Sequence, residues 1–284
     1  MNQILITGSS GLLGLRLIKY FRKKKWSIKK FKRNKKNDLS NFHFCNKYLS
    51  KRKFDAIINL SAITDIDYCE KNKLFSKKVN YQIVRNICKV VKNKKLNTYL
   101  IQVSTDQFYN NLNKNKESNN NCKNFYTKTK LLAEKECEKI NSIVLRTNFS
   151  GKSLNSKRNS FSDWIYKNLK NKKVINLADD IQFSPLSIKS LCDILNTILI
   201  RRINGKYNIG SKIGFSKYKF AIKFAEILNL DQKLIKKVTY NDINFFAKRN
   251  KDMRMKVSKF EKKFNVLLPN LDNEIKKISL EYKN

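Results

Sequence analysis

The sequence predicts an α/β protein, a doubly wound parallel sheet followed by a smaller C-terminal part. Three observations carry this expectation. Short β-rich runs alternate with amphipathic segments through the first half, a glycine-rich turn joins the first run to the first helix, and the alternation loosens after Gly151. A chain of 284 residues has room for one large domain or for a main domain with a smaller one behind it.

Taken in order, Ile4–Ile6 reads as a strand and Leu12–Phe21 as the helix that follows. Ile28–Phe31 is the second strand and Ala56–Leu60 the third. In Val79–Val91 the apolar residues Val79, Ile83, Ile87, Val90 and Val91 recur at three and four, which gives one buried helix face. Tyr99–Val103, the helix Tyr126–Ile140 and the strand Ile143–Leu145 complete the first half. Between them the asparagine-rich stretch Asn110–Asn124 predicts a surface loop beside a binding mouth. Later helices fall at Phe161–Leu169, Ile188–Arg201, Lys217–Leu228 and Leu271–Tyr282, with short strands at Val174–Leu177 and Tyr207–Ile209. The expected domains are residues 1–150 and 151–284, the second partly packed back on the sheet of the first.

The formal charge of +40, from 62 Lys and Arg against 22 Asp and Glu, would suit a polyanion partner. Lysines nevertheless occur in almost every segment, so we read the charge as compositional drift, with no specific nucleic-acid partner. Cys45, Cys69, Cys88, Cys122, Cys137 and Cys192 form no C-x-x-C pair, and with His43 they offer no zinc spacing, so no metal is expected. The thiols fit the reducing cytoplasm. Neither a signal peptide nor a membrane span is expected, because no apolar stretch has the required length or flanks.

Thr7-Gly8-Ser9-Ser10-Gly11-Leu12-Leu13-Gly14 directly follows a strand and opens a helix, the context in which a G-x-x-G-x-x-G turn binds a pyrophosphate. Gly8 and Gly11 permit a tight turn and close backbone approach, and Gly14 lets the helix press on the sheet. This makes the fold Rossmann-type. After the second strand, where NAD-binding chains carry an acid, this one has Phe31-Lys32-Arg33-Asn34. Lys32 and Arg33 could pair with a 2′-phosphate, which favours NADPH over NADH while leaving NADH open. Asp38 and Leu39 are candidate adenine-side contacts.

Tyr126 and Lys130 stand at i and i+4 on one helix face, so both heads can reach one substrate. A nearby ammonium favours the phenolate, and the phenol can then hand a proton to a carbonyl oxygen. Thr105, just after the strand Tyr99–Val103, can hydrogen-bond the same oxygen. Asn80 could fix Lys130 through a water.

With these residues in view, the chain resembles the extended short-chain dehydrogenase/reductases, and within them the dTDP-4-dehydrorhamnose reductase family. The resemblance runs nearly end to end. It rests on the glycine turn, on Asn59-Leu60-Ser61-Ala62-Ile63-Thr64, on Val79-Asn80, on Ser104-Thr105-Asp106, on Tyr126 with Lys130, on Arg146-Thr147, and on Asp180–Pro185. It implies that Thr105, Tyr126 and Lys130 are catalytic, with Asn80 in support. It further implies that Ser10, Gly11–Leu13, Asp38, Leu39, Ser61, Ala62, Thr64 and Val103 line the dinucleotide. Thr105, Asp106, Phe149 and Phe183 fall on the substrate side, where Phe149, Ser160 and Phe183–Leu186 depart from the family pattern.

The implied activity is NAD(P)H-dependent reduction of a nucleotide-linked 4-keto-6-deoxy sugar in cell-envelope polysaccharide synthesis, and a homodimer is allowed. Two alternatives stay open: a 4-epimerase or dehydratase of the same class, or a non-catalytic NADP-binding regulatory subunit. Thr105-Asp106-Gln107 lacks the second acid that a dehydratase needs. Arg16 occupies the region where some relatives carry a magnesium-binding acid.

Overall fold

The computed structural model describes residues 3–112, 115–156 and 158–283. Its first half runs β1 (Gln3–Thr7), α1 (Leu12–Lys23), β2 (Ser27–Lys30), α2 (Phe42–Ser50), β3 (Ala56–Asn59), α3 (Ile66–Lys71), α4 (Lys73–Lys77), α5 (Ile83–Asn93), β4 (Tyr99–Val103), α6 (Phe125–Cys137) and β5 (Ser142–Thr147). There follow β6 (Phe149–Ser150), α7 (Phe161–Lys170), β7 (Ile175–Ala178), β8 (Gln182–Phe183), β9 (Leu186–Ser187), α8 (Ile188–Arg201) and β10 (Gly205–Ile209). The chain closes with β11 (Phe215–Ser216), α9 (Lys217–Ile227), β12 (Ile235–Val238), α10 (Ser258–Phe264) and α11 (Leu271–Lys283).

These elements form two compact units. One comprises Met1–Thr105, Cys122–Leu145 and Leu195–Lys206; the other comprises Asp106–Asn121, Arg146–Ile194 and Tyr207–Asn284. The division is less simple than a cut near residue 150. The end of α8 belongs with the first unit, and the segment after Thr105 belongs with the second.

In the first unit β1 pairs in parallel with β2 on one side and β3 on the other, and β4 and β5 extend the sheet in parallel beyond β3. The strand order is β2-β1-β3-β4-β5, with β10 next to β5. Because the chain leaves β1 toward β2 and then returns to the other side, the order reverses between β1 and β3. Open α/β sheets place ligands at that reversal, outside the carboxyl ends of the strands.

The core follows the sequence periodicity. In α1 the residues Leu13, Leu17, Ile18 and Phe21 are buried, and in α5 Ile83, Val84, Ile87, Val90 and Val91. The helix expected from Val79 begins instead as a π-helical turn, Lys78–Gln82, that continues from α4. Helix α2 was not foreseen, because its lysine and asparagine hide a short face; it buries Cys45 and Leu49 in the cluster that holds Ile83 and Ile87.

The second unit has its own core, in which Ile165, Leu169, Phe183, Phe220, Phe224, Ile275 and Ile278 cluster. Strands β7 and β12 pair in parallel and β8 and β11 antiparallel. The asparagine-rich segment, of which residues 113 and 114 lie outside the described part, is a largely exposed loop, as expected, but it is tied down at buried points. Asn115 is fully buried and donates from Nδ2 to the Arg254 carbonyl at 2.8 Å. Arg146, also fully buried, donates to the Asn119 carbonyl at 2.7 Å and stacks its guanidinium over Phe108. At these points side-chain amides replace a regular backbone ladder.

The glycine turn is sterically closed. Gly8 has φ +62° and a Cβ there would stand 2.6 Å from the Leu60 carbonyl, while one at Gly14 would collide with the Gly8 carbonyl oxygen. At Gly14 the closest approach is therefore to the turn at the end of β1. Gly14→Ala should lower the melting temperature by several degrees and weaken dinucleotide binding at least about tenfold, the order expected when a close backbone approach is blocked. Thermal unfolding followed by circular dichroism, with a fluorescence titration of NADPH, checks both.

Candidate active site

At the carboxyl ends of the central strands, polar side chains form a buried ladder. Thr7 donates from Oγ1 to Asn59 Oδ1, Asn59 Nδ2 donates to Gln102 Oε1 at 2.7 Å, and Gln102 Nε2 donates to the Val103 carbonyl at 2.9 Å. Thr7 Oγ1 in turn accepts from the Leu60 and Ser61 amides. The ladder ties the ends of β1, β3 and β4 into one rigid edge.

Above it, α1 starts at Gly11 with no side-chain cap and no acid in its first turn. Its free amides and the positive end of its dipole suit a pyrophosphate, and the crowded glycines leave the backbone bare to receive it. Ser10 is exposed and Leu12 half-buried there, whereas the Leu13 side chain belongs to the core, so Leu13 can offer a ligand only its backbone. A cavity of about 680 Å³ lined by Lys92, Lys95, Ser142 and Lys206 lies at the opposite, amino ends of β4 and β5. It is not where this sheet's chemistry gathers.

On the adenosine side, Arg33 and Asp38 pair with each other: Nε and Nη2 approach Oδ2 at 3.2 and 3.1 Å. Asp38 also accepts from the Ser40 amide and hydroxyl and lies 3.7 Å from Lys78. Partial burial works to raise its pKa, but the Ser40 bonds and the two cations prevail and hold it below the ordinary carboxylate value. Lys32 is exposed, and Leu39 is buried. Arg33, expected to meet a 2′-phosphate, would thus exchange one anionic partner for another. For a half-exposed pair that exchange is cheap.

Asn80 is 1% exposed and placed by the π-turn, a feature frequent at functional sites. Its Oδ1 accepts from the Ile63 amide at 2.7 Å, and its Nδ2 donates to the Ile63 carbonyl at 3.1 Å and to Thr129 Oγ1 at 3.3 Å. The amide therefore clips the Ser61–Thr64 segment to the residue preceding Lys130. With those bonds made, Asn80 positions backbone beside α6.

Helix α6 begins with a capping box between Asn124 and Thr127, and the Phe125 amide donates to Glu70 at 2.8 Å. That start fixes Tyr126, Lys130 and Glu134 along one face. Tyr126, Lys130 and Thr105 are 5%, 3% and 4% exposed. Lys130 Nζ donates to the Val103 carbonyl at 2.7 Å, and burial pushes its pKa down to about 8, with the Glu134 carboxylate opposing the shift.

Glu134, fully buried, accepts from Ser104 Oγ at 2.5 Å and faces Lys206 at 3.4 Å. It was missed in the sequence although its signal was present, one further turn along the Tyr126–Lys130 spacing.

In the second unit, Asp106 is 2% exposed, accepts from Asn148 Nδ2 at 2.8 Å, and has its pKa raised by burial. Phe149 is half-buried at the start of β6. Phe183 is 1% exposed and packs in the hydrophobic cluster of the second unit. Lys217, whose Nζ lies 3.4 Å from the Phe183 ring centroid, was not singled out in a chain with 62 Lys and Arg.

A parallel sheet with a glycine turn at its switch point, and a buried tyrosine–lysine pair on the helix before β5, define a short-chain dehydrogenase/reductase architecture. Within it the chain belongs to the RmlD substrate binding domain family, whose sequence model matches residues 1–284. A probable low-salt glycan biosynthesis reductase of Haloferax volcanii is 20% identical over 95% of each chain. The crystal structure of dTDP-4-dehydrorhamnose reductase from Bacillus anthracis, in complex with NADP, superposes with a TM-score of 0.88 at 21% identity, covering 99% of this chain and 100% of that one. The Clostridium acetobutylicum reductase structure gives 0.89 at 22% identity over the same shares.

Burial of the Lys130 charge makes a stability prediction. A folded pKa of about 8 against an ordinary 10.5 corresponds to about 3 kcal/mol held against the fold below pH 8. That penalty fades as pH rises from 8 to 10.5, because the folded state sheds its proton first. Lys130→Met should therefore melt no lower than the parent at pH 7, and its advantage should shrink toward pH 10.5. Melting curves of both proteins across this range check the sign.

Proposed function

We propose that the chain is an NAD(P)H-dependent reductase of a nucleotide-linked 4-keto-6-deoxy sugar, working in cell-envelope polysaccharide synthesis. The observation that carries the reading is the Tyr126–Lys130 pair, buried on one helix face with Lys130 anchored to the Val103 carbonyl. Family membership and the reductase names of its relatives support it. Six cysteines without a C-x-x-C pair, five of them buried, suit a reducing cytoplasmic setting.

The glycine turn and the amides at the start of α1 would hold the pyrophosphate, with Ala62 and Thr64 beside the dinucleotide and Arg33 at the 2′-phosphate. When bound, the reduced dinucleotide supplies the hydride. Tyr126 then gives its phenolic proton to the carbonyl oxygen, and Thr105 donates a hydrogen bond to the same oxygen, so the ketone leaves as an alcohol. Lys130 stabilises the resulting phenolate, and the phenol regains a proton from solvent. Asn80 holds Ile63 and α6 in register. Asp106 is followed by Gln107, so the acid pair of a dehydratase is incomplete.

A panel of 4-keto-6-deoxy sugars on dTDP, UDP and GDP, followed by loss of NADPH absorbance, tests the proposal. Turnover of at least one member is expected, and failure of all of them with NADPH bound would favour the non-catalytic subunit. In the active pairing, Tyr126→Phe should reduce the rate by about 10²–10⁴ and leave NADPH affinity within a few-fold. NADPH should bind more tightly than NADH, and Arg33→Asp should narrow or reverse the difference in a fluorescence titration.

A further inference from the structure

Lys217 is the first residue of α9, where the positive end of the helix dipole disfavours a cation. Its ammonium lies 3.4 Å from the Phe183 ring centroid and 4.4 Å from that of Phe161, and burial pushes its pKa down to about 8. Among the described residues it makes no hydrogen bond through Nζ; the Asp106 carboxylate acts on it through space and is itself engaged by Asn148 at 2.8 Å. The placement is nonetheless rigid. The Lys217 amide donates to the Ile181 carbonyl at 3.0 Å, and the preceding residue, Ser216, caps α9 and donates to Asp179. Two aromatic faces and a helix start thus hold in place an ammonium that makes no hydrogen bond of its own among the described residues.

We propose that Lys217 is a sugar-binding residue, its ammonium and the Asp106 carboxylate forming a subsite in the second unit that grips the hydroxyls of a hexose. The inference rests on the sugar-nucleotide reading above and names the group that recognises the sugar. The chemistry selects the ligand class. A hydroxyl both donates and accepts, so it satisfies an ammonium and a carboxylate together, whereas a diphosphate would be repelled by Asp106. Phe161 and Phe183 brace the ammonium by cation–π contact and take no conventional hydrogen bond from it.

The test is calorimetric titration of the full chain, with NADP⁺ present, using dTDP-, UDP- and GDP-glucose and the three matching nucleoside diphosphates. For whichever nucleotide the parent accepts, Lys217→Met should weaken the glucose conjugate about tenfold or more, as expected for a lost charge-assisted hydrogen bond, and leave the bare diphosphate within about twofold. Lys217→Arg should recover part of the loss, and Asp106→Asn should weaken the conjugate in the same selective way. Melting curves confirm that each variant is folded, and Lys217→Arg decides the matter if Lys217→Met does not fold.

Unchanged conjugate affinity, an equal loss for the bare diphosphate, or a parent that binds no conjugate would each overturn the subsite. A parent that turns over a keto sugar with a KM insensitive to Lys217 would overturn it while the reductase reading stands. Selective, Lys217-dependent binding without turnover of any keto sugar would sink the reductase reading and leave the subsite in place.

Discussion

The bond from Lys130 Nζ to the Val103 carbonyl is the contact on which the remainder of the first unit's site depends. It holds a cation in a place where a cation is unfavourable, and it does so at the end of β4, the strand that delivers Thr105. The carbonyl is itself aimed by Gln102, and Gln102 by Asn59 and Thr7, so the ammonium is referenced to three strands at once. A charge fixed so firmly does not need to reorganise when charge develops near it. The stability given up to bury it matches the pattern in which functional sites carry local strain that the core elsewhere offsets.

Around that contact, the supporting residues hold backbone more than they hold a ligand. Asn80 clips Ile63, Glu70 receives the Phe125 amide, and Glu134 receives Ser104. Each connects a segment after a strand to α6 or to its start. Small displacements of α6 would move Tyr126 and Lys130 together, which keeps their mutual geometry intact.

The strands and long helices were legible because burial imposes a period: β4 and α8 fall on the residues that the pattern gave, and α1 starts where the glycine turn ends. Tyr126, Lys130 and Thr105 could be picked out since their chemistry needs a set spacing or a strand end. What escaped did so for physical reasons. Helix α2 buries too few residues to stamp a period on its sequence, and the π-turn is a backbone choice that side chains barely record. Asn115 and Arg146 look like surface residues until their partners, main-chain carbonyls distant in sequence, are seen. Lys217 was masked by composition, for in so basic a chain one more lysine carries no information until its burial is known.

The path of the chain between its two units bears on how the protein is made. It crosses between them after Thr105, Asn121, Leu145, Ile194 and Lys206. A ribosome emitting this chain from its amino end therefore cannot release a finished first unit until residue 206 has emerged, by which point a large part of the second unit is already outside. Neither unit can be excised as a contiguous fragment. Folding must wait on contacts distant in sequence, which slows it and leaves the parallel strands exposed for longer to chance association and to the chaperones that suppress it.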